Sequence, residues 1–253
     1  LGTGSITDTR VVWAIAKMVY EANPKARITI AEGPADWVSP GHPEAMRVVQ
    51  ELDGFAATGY RAILDDPFFK GGKIDIIDLN FDEVVEVKPP FQNVMKTFWL
   101  PKTVKDCDVF INVPVLKVTD SIGFTCAMKN MVGIAPGMKY GWPKMNGFPP
   151  EVGQGIPGHT DMLFDEMIVD LTSIGRVNLA VVDAIVGMER ERTDRDGGNP
   201  RRLNTIIAGP NPVSVDAVCT RLVGFNPDDF EFLTLADRQG LGAADLSKLT
   251  LKG

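Results

Sequence analysis

The chain has 253 residues, of which 44% are hydrophobic and 23% charged, a composition typical of folded globular proteins that excludes disorder as the main state. Its net charge of −7 opposes a general nucleic-acid-binding role, because binding to phosphate backbones depends on clustered Lys and Arg. No run of about twenty apolar residues is present, so no membrane span is expected. The length suits one large α/β domain, predicted to cover residues 1–253.

Several well-known site motifs are missing from the sequence. The cysteines at 107, 126 and 219 are isolated, so neither a disulfide framework nor an iron-sulfur or zinc motif is predicted. The chain also has no Gly-x-Gly-x-x-Gly and no Gly-x-x-x-x-Gly-Lys-Ser/Thr, the fingerprints of dinucleotide and nucleoside triphosphate sites.

The first predicted elements are a helix and a strand. Thr7-Asp8 offers a capping side chain before apolar residues at helical spacing, and this helix is predicted to end near Asn23-Pro24. Residues 27–32 are predicted as a strand that delivers Glu32 to its C-terminal end, where Gly33-Pro34 forces a turn. A carboxylate in this position suits a metal, a hydroxyl or a proton transfer.

The next segments carry weaker signals. Two short helical stretches are predicted, around 44–52 and 58–64. Residues 73–79 are predicted as a second strand and 84–88 as a possible third. The aromatic segment from Pro89 to Pro101 is either a partner surface or a cover over the core, and we favour the cover.

The centre of the chain is predicted to be a strand, a turn and a helix. Residues 108–117 form an apolar run that ends at Lys117, and Thr119-Asp120-Ser121 is predicted as a turn. The spacing of Ile122, Cys126 and Lys129-Asn130 then predicts a helix. Ligands usually bind at such strand-to-helix junctions in open α/β sheets.

A long segment rich in Gly and Pro follows, from Ile134 to Gly158. It is too long for a simple connection, so we predict a lid-like insertion at 134–158. A helix is predicted from His159 to Gly175, which places His159 beside the lid as a candidate ligand or general acid/base.

The last third of the chain returns to alternating strands and helices. Strands are predicted at 178–183, ending in the carboxylate of Asp183, and at 203–209. A helix is predicted to start in Pro210–Asp216, and the last 28 residues to form one short helix and an edge strand. Because several strands are continuously apolar, we predict a three-layer α/β fold with a mostly parallel central sheet and helices on both faces.

An apolar strand ending in Pro-x-x-Lys, followed by Met-Lys-Asn-x-x-Gly, resembles the DUF362 family. Further matching motifs are Thr7-Asp8, Glu32-Gly33, Val182-Asp183-Ala-Ile-Val-Gly-Met-Glu189 and Ala208-Gly-Pro-Asn-Pro-Val-Ser-Val-Asp216. The resemblance implies an earlier N-terminal strand that is missing here. It also implies that many relatives carry an added ferredoxin-like cysteine segment, which this chain lacks. Relatives commonly have Lys-Thr-His where this chain has Lys117-Val-Thr-Asp120, so Asp120 or His159 would replace that histidine.

A parallel sheet would gather Glu32, Lys117, Asp183 and the Gly209 turn at one edge. Two chemistries suit these groups. In the first, a small anionic molecule is held by Lys117, Lys129 and helix N-termini at Ser121 and Ser214, and Glu32 or Asp183 transfers a proton; the further substrate-binding candidates are Asn130, Thr119, Asp120 and His159. In the second, carboxylates hold Mg²⁺ or Ca²⁺, with Asp8, Glu189 and Asp216 as the candidate ligands. A third interpretation is that these groups form a salt-bridge network that only stabilises the edge of the sheet.

Two functional hypotheses remain open. The first is an enzyme that acts on a small anionic substrate at the strand ends. The alternative is a non-catalytic module that binds a metal or an iron-sulfur partner, such as a ferredoxin-like protein, in a redox assembly. The start of the chain has no signal-like segment, so a cytoplasmic location is expected unless an export signal has been removed.

Overall fold

The structure is a computed structural model that describes residues 3–34, 53–120, 123–140, 163–191, 193 and 197–253. His42, Ser121, His159 and the part of the predicted lid from 141 to 158 lie outside these residues. The predicted helical stretch at 44–52 also lies outside them.

The α-helices of the described residues are α1 (Thr9–Ala22), α2 (Gly54–Ala57), α3 (Lys102–Asp106), α4 (Ala127–Asn130), α5 (Gly137–Tyr140), α6 (Phe164–Gly175), α7 (Pro212–Leu222) and α8 (Glu231–Arg238). The 3-10 helices are Tyr60–Ile63, Pro67–Phe69, Met131–Ile134, Pro227–Asp229 and Leu246–Lys248. None of the helices in the described part of the chain is long and apolar enough to cross a membrane.

The strands are β1 (Arg27–Glu32), β2 (Lys73–Asp78), β3 (Val84–Val87), β4 (Phe98–Pro101), β5 (Ile111–Asn112), β6 (Val115–Thr119), β7 (Gly123–Thr125), β8 (Leu179–Glu189) and β9 (Asn199–Gly209). The predicted α/β fold with a mostly parallel sheet is confirmed. β1 pairs in parallel with β2, and β8 pairs in parallel with both β5 and β6. Antiparallel partners extend the central sheet, with β7 beside β6 and β9 beside β8, while β3 and β4 form a separate antiparallel pair.

Two apolar clusters lie in the described part of the chain. The larger one packs a face of the central sheet, through residues such as Leu116 and Val182, against side chains of α4, α6, α7 and α8. The smaller one packs α1 against β1 and β2, with Ala16 and Phe69 at its centre. Because neighbouring residues of a strand point to opposite faces, Asp183 lies on the face of β8 opposite Val182.

Three predictions about elements are wrong. The predicted helix does not include residues 123–125, because Gly123–Thr125 folds back as β7 and the α-helix begins only at Ala127. β8 does not end at Asp183 but runs on to Glu189. The last residues, 226–253, contain helices and no strand: the carbonyls of Leu241 and Ala243 accept hydrogen bonds from side chains of the Asn211 loop and α7 instead of pairing with a strand.

Candidate functional site

An N-terminal segment lies across β6 and β8. We call residues 3–8 the strap. The Lys117 ammonium of β6 donates a hydrogen bond to the carbonyl of Ser5, and the Thr7 hydroxyl donates to the carbonyl of Val113 over 2.8 Å. These bonds join the strap to residues more than a hundred positions away in the sequence.

Gly4 shows how closely the strap approaches the sheet. Its φ is +78°, and a Cβ built there would lie 2.5 Å from the carbonyl oxygen of Gly187 in β8. A side chain would therefore meet backbone atoms, and its conformation would also be strained. Glycine is required here to bring the strap onto β8.

Asp183 is the carboxylate beneath the strap. It is 2% exposed, and its two oxygens accept hydrogen bonds from the backbone N–H groups of Asp8, over 2.8 Å, and Ile185, over 3.1 Å. It lies in the interior of β8, and its Cα is paired with Val115. Asp183 thus positions the strap and the start of α1, and it is not the strand-end carboxylate that the sequence predicted.

Asp8 is the N-cap of α1, as its position after Thr7 predicts. Its carboxylate accepts hydrogen bonds from the backbone N–H and the guanidinium of Arg10. The Arg10 guanidinium, through its hydrogen bond, is the main reason that the pKa of Asp8 is lowered to about 2. Asp8 therefore remains ionised near neutral pH, and both of its oxygens already have partners.

Tyr60 joins this group and was not identified from the sequence. Its hydroxyl donates a hydrogen bond of 2.5 Å to the carbonyl of Thr7. Burial raises the pKa of Tyr60, and the negative charges of Glu32, Asp183 and Asp8 raise it further. Tyr60 lies in a single 3-10 turn with no motif around it, so no local signal marks it.

Glu32 is the exposed carboxylate of this group, at the C-terminal end of β1 as predicted. Its backbone carbonyl accepts the N–H of Leu79, which continues the pairing of β1 with β2. The next residue, Gly33, has its carbonyl 3.8 Å from the Cβ position of Gly133. The end of β1 therefore lies beside the 3-10 turn that follows α4.

The other β6 candidates lie at the end of that strand. Thr119 is buried, and Asp120 is exposed and donates its backbone N–H to the carbonyl of Arg190 over 2.8 Å. Asp120 therefore lies beside the end of β8. Its place in the predicted site stays a prediction, because residues 121 and 122 are outside the described residues.

The β7 hairpin changes the position of Lys129 and Asn130. Asn130 donates to Asn112 of β5 over 2.7 Å, and Asn112 in turn donates to the carbonyl of Ala127. The Lys129 ammonium lies 4.9 Å from the centre of the Phe164 ring. These contacts hold α4 against β5 and α6.

The proposed metal ligands Asp8, Glu189 and Asp216 are not brought together. Glu189 forms an ion pair with Arg201 at the far end of β8, about 20 Å from Asp183 at the rise of an extended strand. Asp216 is fully buried and binds the N–H groups of Ala127 and Met128. Within the described residues no group of three or more His, Cys, Asp and Glu side chains could hold a metal ion.

The predicted position of the Gly209 turn is also wrong, whereas the role of Ser214 in binding stays a prediction. Gly209 pairs with Ala180, so its turn lies at the N-terminal end of β8 and not with Glu32 and Lys117. The backbone N–H of Ser214 is bound by the Asn211 side chain, and its hydroxyl donates to the carbonyl of Ala243. Ser214 therefore links α7 to the C-terminal segment instead of facing the strap.

Comparison with known proteins adds a family and one relative. A thylakoid-associated protein of Synechocystis sp. is 27% identical over 248 residues, which cover 97% of this chain and 66% of the relative. The chain thus spans about two thirds of that protein's length. The family model described as a domain of unknown function, DUF362, matches residues 2–221. The chain therefore belongs to the DUF362 family.

Proposed function

We propose that this chain is an enzyme that binds a small anionic molecule beside the strap, with Glu32 as its proton-transfer group. The observation that carries the proposal is the contact of the strap with Asp183 and with the Tyr60 hydroxyl, beside which Glu32 lies close enough to raise the pKa of that hydroxyl. Asp183 and Asp8 are buried and bound to backbone N–H groups, whereas Glu32 is exposed. A group that exchanges a proton with a ligand has to reach that ligand, so Glu32 is the best candidate of the three.

Two cations beside the strap would attract an anionic ligand. Lys117 is half-buried with its ammonium at Ser5, and the Arg10 side chain is 64% exposed next to Asp8. Lys129 remains a further candidate anion holder on α4. An alternative form of the proposal has Glu32 contribute an oxygen ligand to a hard cation such as Mg²⁺ or Ca²⁺.

The test is a thermal-unfolding screen against inorganic phosphate, small carboxylic acids, Mg²⁺ and Ca²⁺. A ligand at a hundred times its dissociation constant adds about 2.7 kcal/mol, which is readily measured. Glu32→Gln should keep or tighten the binding of an anion, because it removes a negative charge, while it abolishes turnover. Lys117→Gln should weaken the binding of the anion. Glu21→Gln is the matched control for Glu32→Gln, because Glu21 is an exposed carboxylate at the far end of α1.

The proposal fails if none of these compounds stabilises the wild-type chain. It also fails if Glu32→Gln and Glu21→Gln have the same turnover on the compound that binds. Stabilisation by Mg²⁺ or Ca²⁺ that is lost in Glu32→Gln would favour the metal form of the proposal.

The second candidate is a module that binds an iron-sulfur protein in a redox assembly. The name of the Synechocystis relative records association with thylakoids, and an exposed aromatic residue supplies a possible contact. Trp99 is 38% exposed, and the Lys139 ammonium lies 4.4 Å from the centre of its ring. Titration with a purified plant-type ferredoxin tests this candidate: binding that Trp99→Ala abolishes would support it, and no binding would exclude that partner.

We also propose that this protein is located in the cytoplasm. Cell fractionation of the tagged full-length protein tests it, because association with a membrane fraction would contradict it.

A further inference from the structure

A second group of reactive side chains lies away from the strap, where β7 meets α4. It consists of Cys126, just before α4, and Asp216 and Cys219 on α7. All three are at most 1% exposed. None of them takes part in the function proposed above.

Both the helix geometry and the hydrogen bonds bring these groups together. Asp216 and Cys219 are three residues apart in α7 and therefore share a face of that helix. Asp216 accepts the N–H groups of Ala127 over 2.7 Å and Met128 over 2.9 Å, which brings it to the first turn of α4. Cys126 lies close enough to Cys219 and Asp216 for both residues to raise the pKa of its thiol.

We propose that Cys126 and Cys219 are a redox-active dithiol, which a small organic disulfide oxidises to an intramolecular disulfide while Asp216 accepts the proton of Cys126. Two neighbouring thiols have to approach each other to reach the S–S bond length of about 2 Å. The carboxylate beside Cys126 provides the proton acceptor that a buried thiol requires before it can act as a nucleophile.

The reaction has two balanced steps. In the first, Cys126 transfers its proton to Asp216 and attacks one sulfur of the small disulfide, which forms a mixed disulfide and releases a thiolate that takes the proton. In the second, Cys219 transfers its proton to Asp216 and attacks the sulfur of Cys126, which forms the Cys126–Cys219 bond and releases a second small thiolate that takes this proton. Two protein thiols are oxidised, and one small disulfide is reduced to two thiols.

Burial sets the rate of this reaction. Burial also raises the pKa of Cys126 well above its ordinary value, so little thiolate forms spontaneously, and the reagent reaches the thiol only through brief local openings of the residues that cover it. The reaction should therefore accelerate just below the unfolding temperature, while the fold persists.

The test uses the full chain with Cys107→Ser, because Cys107 is the remaining, half-buried thiol. Treatment with 4,4′-dithiodipyridine should release two thiopyridone molecules and leave a protein lighter by two hydrogen atoms, with no pyridine adduct. Peptide mapping should find Cys126 joined to Cys219, and dithiothreitol should reverse the change. Far-UV circular dichroism confirms that the fold is retained.

Two variants separate the parts of the proposal. Cys219→Ala should leave a stable pyridine adduct on Cys126, because the second step is lost. Compared at urea concentrations that give both proteins the same free energy of unfolding, Asp216→Asn should carry out the first step at pH 7 about 100-fold more slowly than the protein with Asp216, as expected for the loss of a general base, and the rate should recover as the pH rises. An unchanged rate would show that Asp216 is not the proton acceptor.

The dithiol proposal is overturned by two pyridine adducts on the Cys107→Ser protein. It is also overturned if both thiols stay unmodified just below the unfolding temperature. The result is independent of the function proposed for the strap, since neither outcome depends on an anionic ligand.

Discussion

Replacing Asp216 by Asn should remove a large part of the pH dependence of folding. Burial raises the pKa of Asp216 from 3.8 to about 7, although the N–H groups of Met128 and Ala127 and the thiol of Cys126 oppose this rise. A raised folded-state pKa means that the folded chain keeps a proton which the unfolded chain releases. The stability that this proton contributes is complete below about pH 4 and is lost as the pH rises to about 7.

The size of the effect follows from the shift. About three pKa units at 1.36 kcal/mol each correspond to roughly 4 kcal/mol in the free energy of unfolding. Other carboxylates change stability over the same range, so the informative quantity is the difference between the wild type and Asp216→Asn. This difference should fall by roughly 4 kcal/mol between pH 4 and pH 7.5. The Asn variant should also lose stability at every pH, since its amide has one acceptor for two N–H groups.

The assay is urea unfolding at a series of pH values, with linear extrapolation to water. Asp228→Asn, which changes an exposed carboxylate outside the core, is the matched control. A pH-independent difference for Asp216→Asn would refute the reasoning. A difference that grows with pH would show that the N–H donors stabilise the carboxylate more than burial destabilises it.

The remaining predictions concern the strap. Tyr60→Phe removes the donor to the carbonyl of Thr7 and should lower the free energy of unfolding by about 1–2 kcal/mol in urea titrations; an unchanged midpoint would mean that water replaces the hydroxyl. Gly4→Ala forces a Cβ against the carbonyl of Gly187 and should cost about 1–3 kcal/mol, with faster amide exchange in residues 3–8; unchanged exchange would contradict the close approach. Asp8→Ala removes the cap of α1 and the contact with Arg10, and should cost about 2 kcal/mol at pH 7. Because the pKa of Asp8 is lowered from 3.8 to about 2, this cost should vanish only as the pH falls through that range, and a cost that persists at pH 1.5 would disprove the linkage.

Elements defined by local signals could be predicted from the sequence. The capping carboxylate of Asp8 and the proline after Asn23 mark the two ends of α1, and the observed helix runs from Thr9 to Ala22. The apolar run before Glu32 likewise predicts β1 with its observed ends. In both cases the determining residues lie within a few positions of the element, so no distant contact is needed to place it.

The hairpin after Thr119 shows how two periodicities compete. Ile122, Cys126 and Lys129 have helical spacing. Burial follows the alternation of a strand, however, because Phe124 and Cys126 are buried while Gly123 and Thr125 are only partly buried. Gly123 has a φ of +72°, a conformation that suits a turn and not a helix. A strand of three residues is too short for its alternation to outweigh the helical spacing in the sequence alone.

The candidate site depended on contacts that no local pattern contains. The sequence predicts Asp183 as a proton-transfer group and Asp216 as a metal ligand. In the structure, both carboxylates accept hydrogen bonds from backbone N–H groups of distant segments: Asp183 from the strap and Asp216 from α4. A carboxylate that already accepts two backbone hydrogen bonds has to break one before it can take a proton from a ligand, and a buried N–H left unpaired costs about 1–3 kcal/mol. Glu32 is exposed, so chemistry at the strap should depend on Glu32, whereas Asp183 should affect that chemistry through the position of the strap.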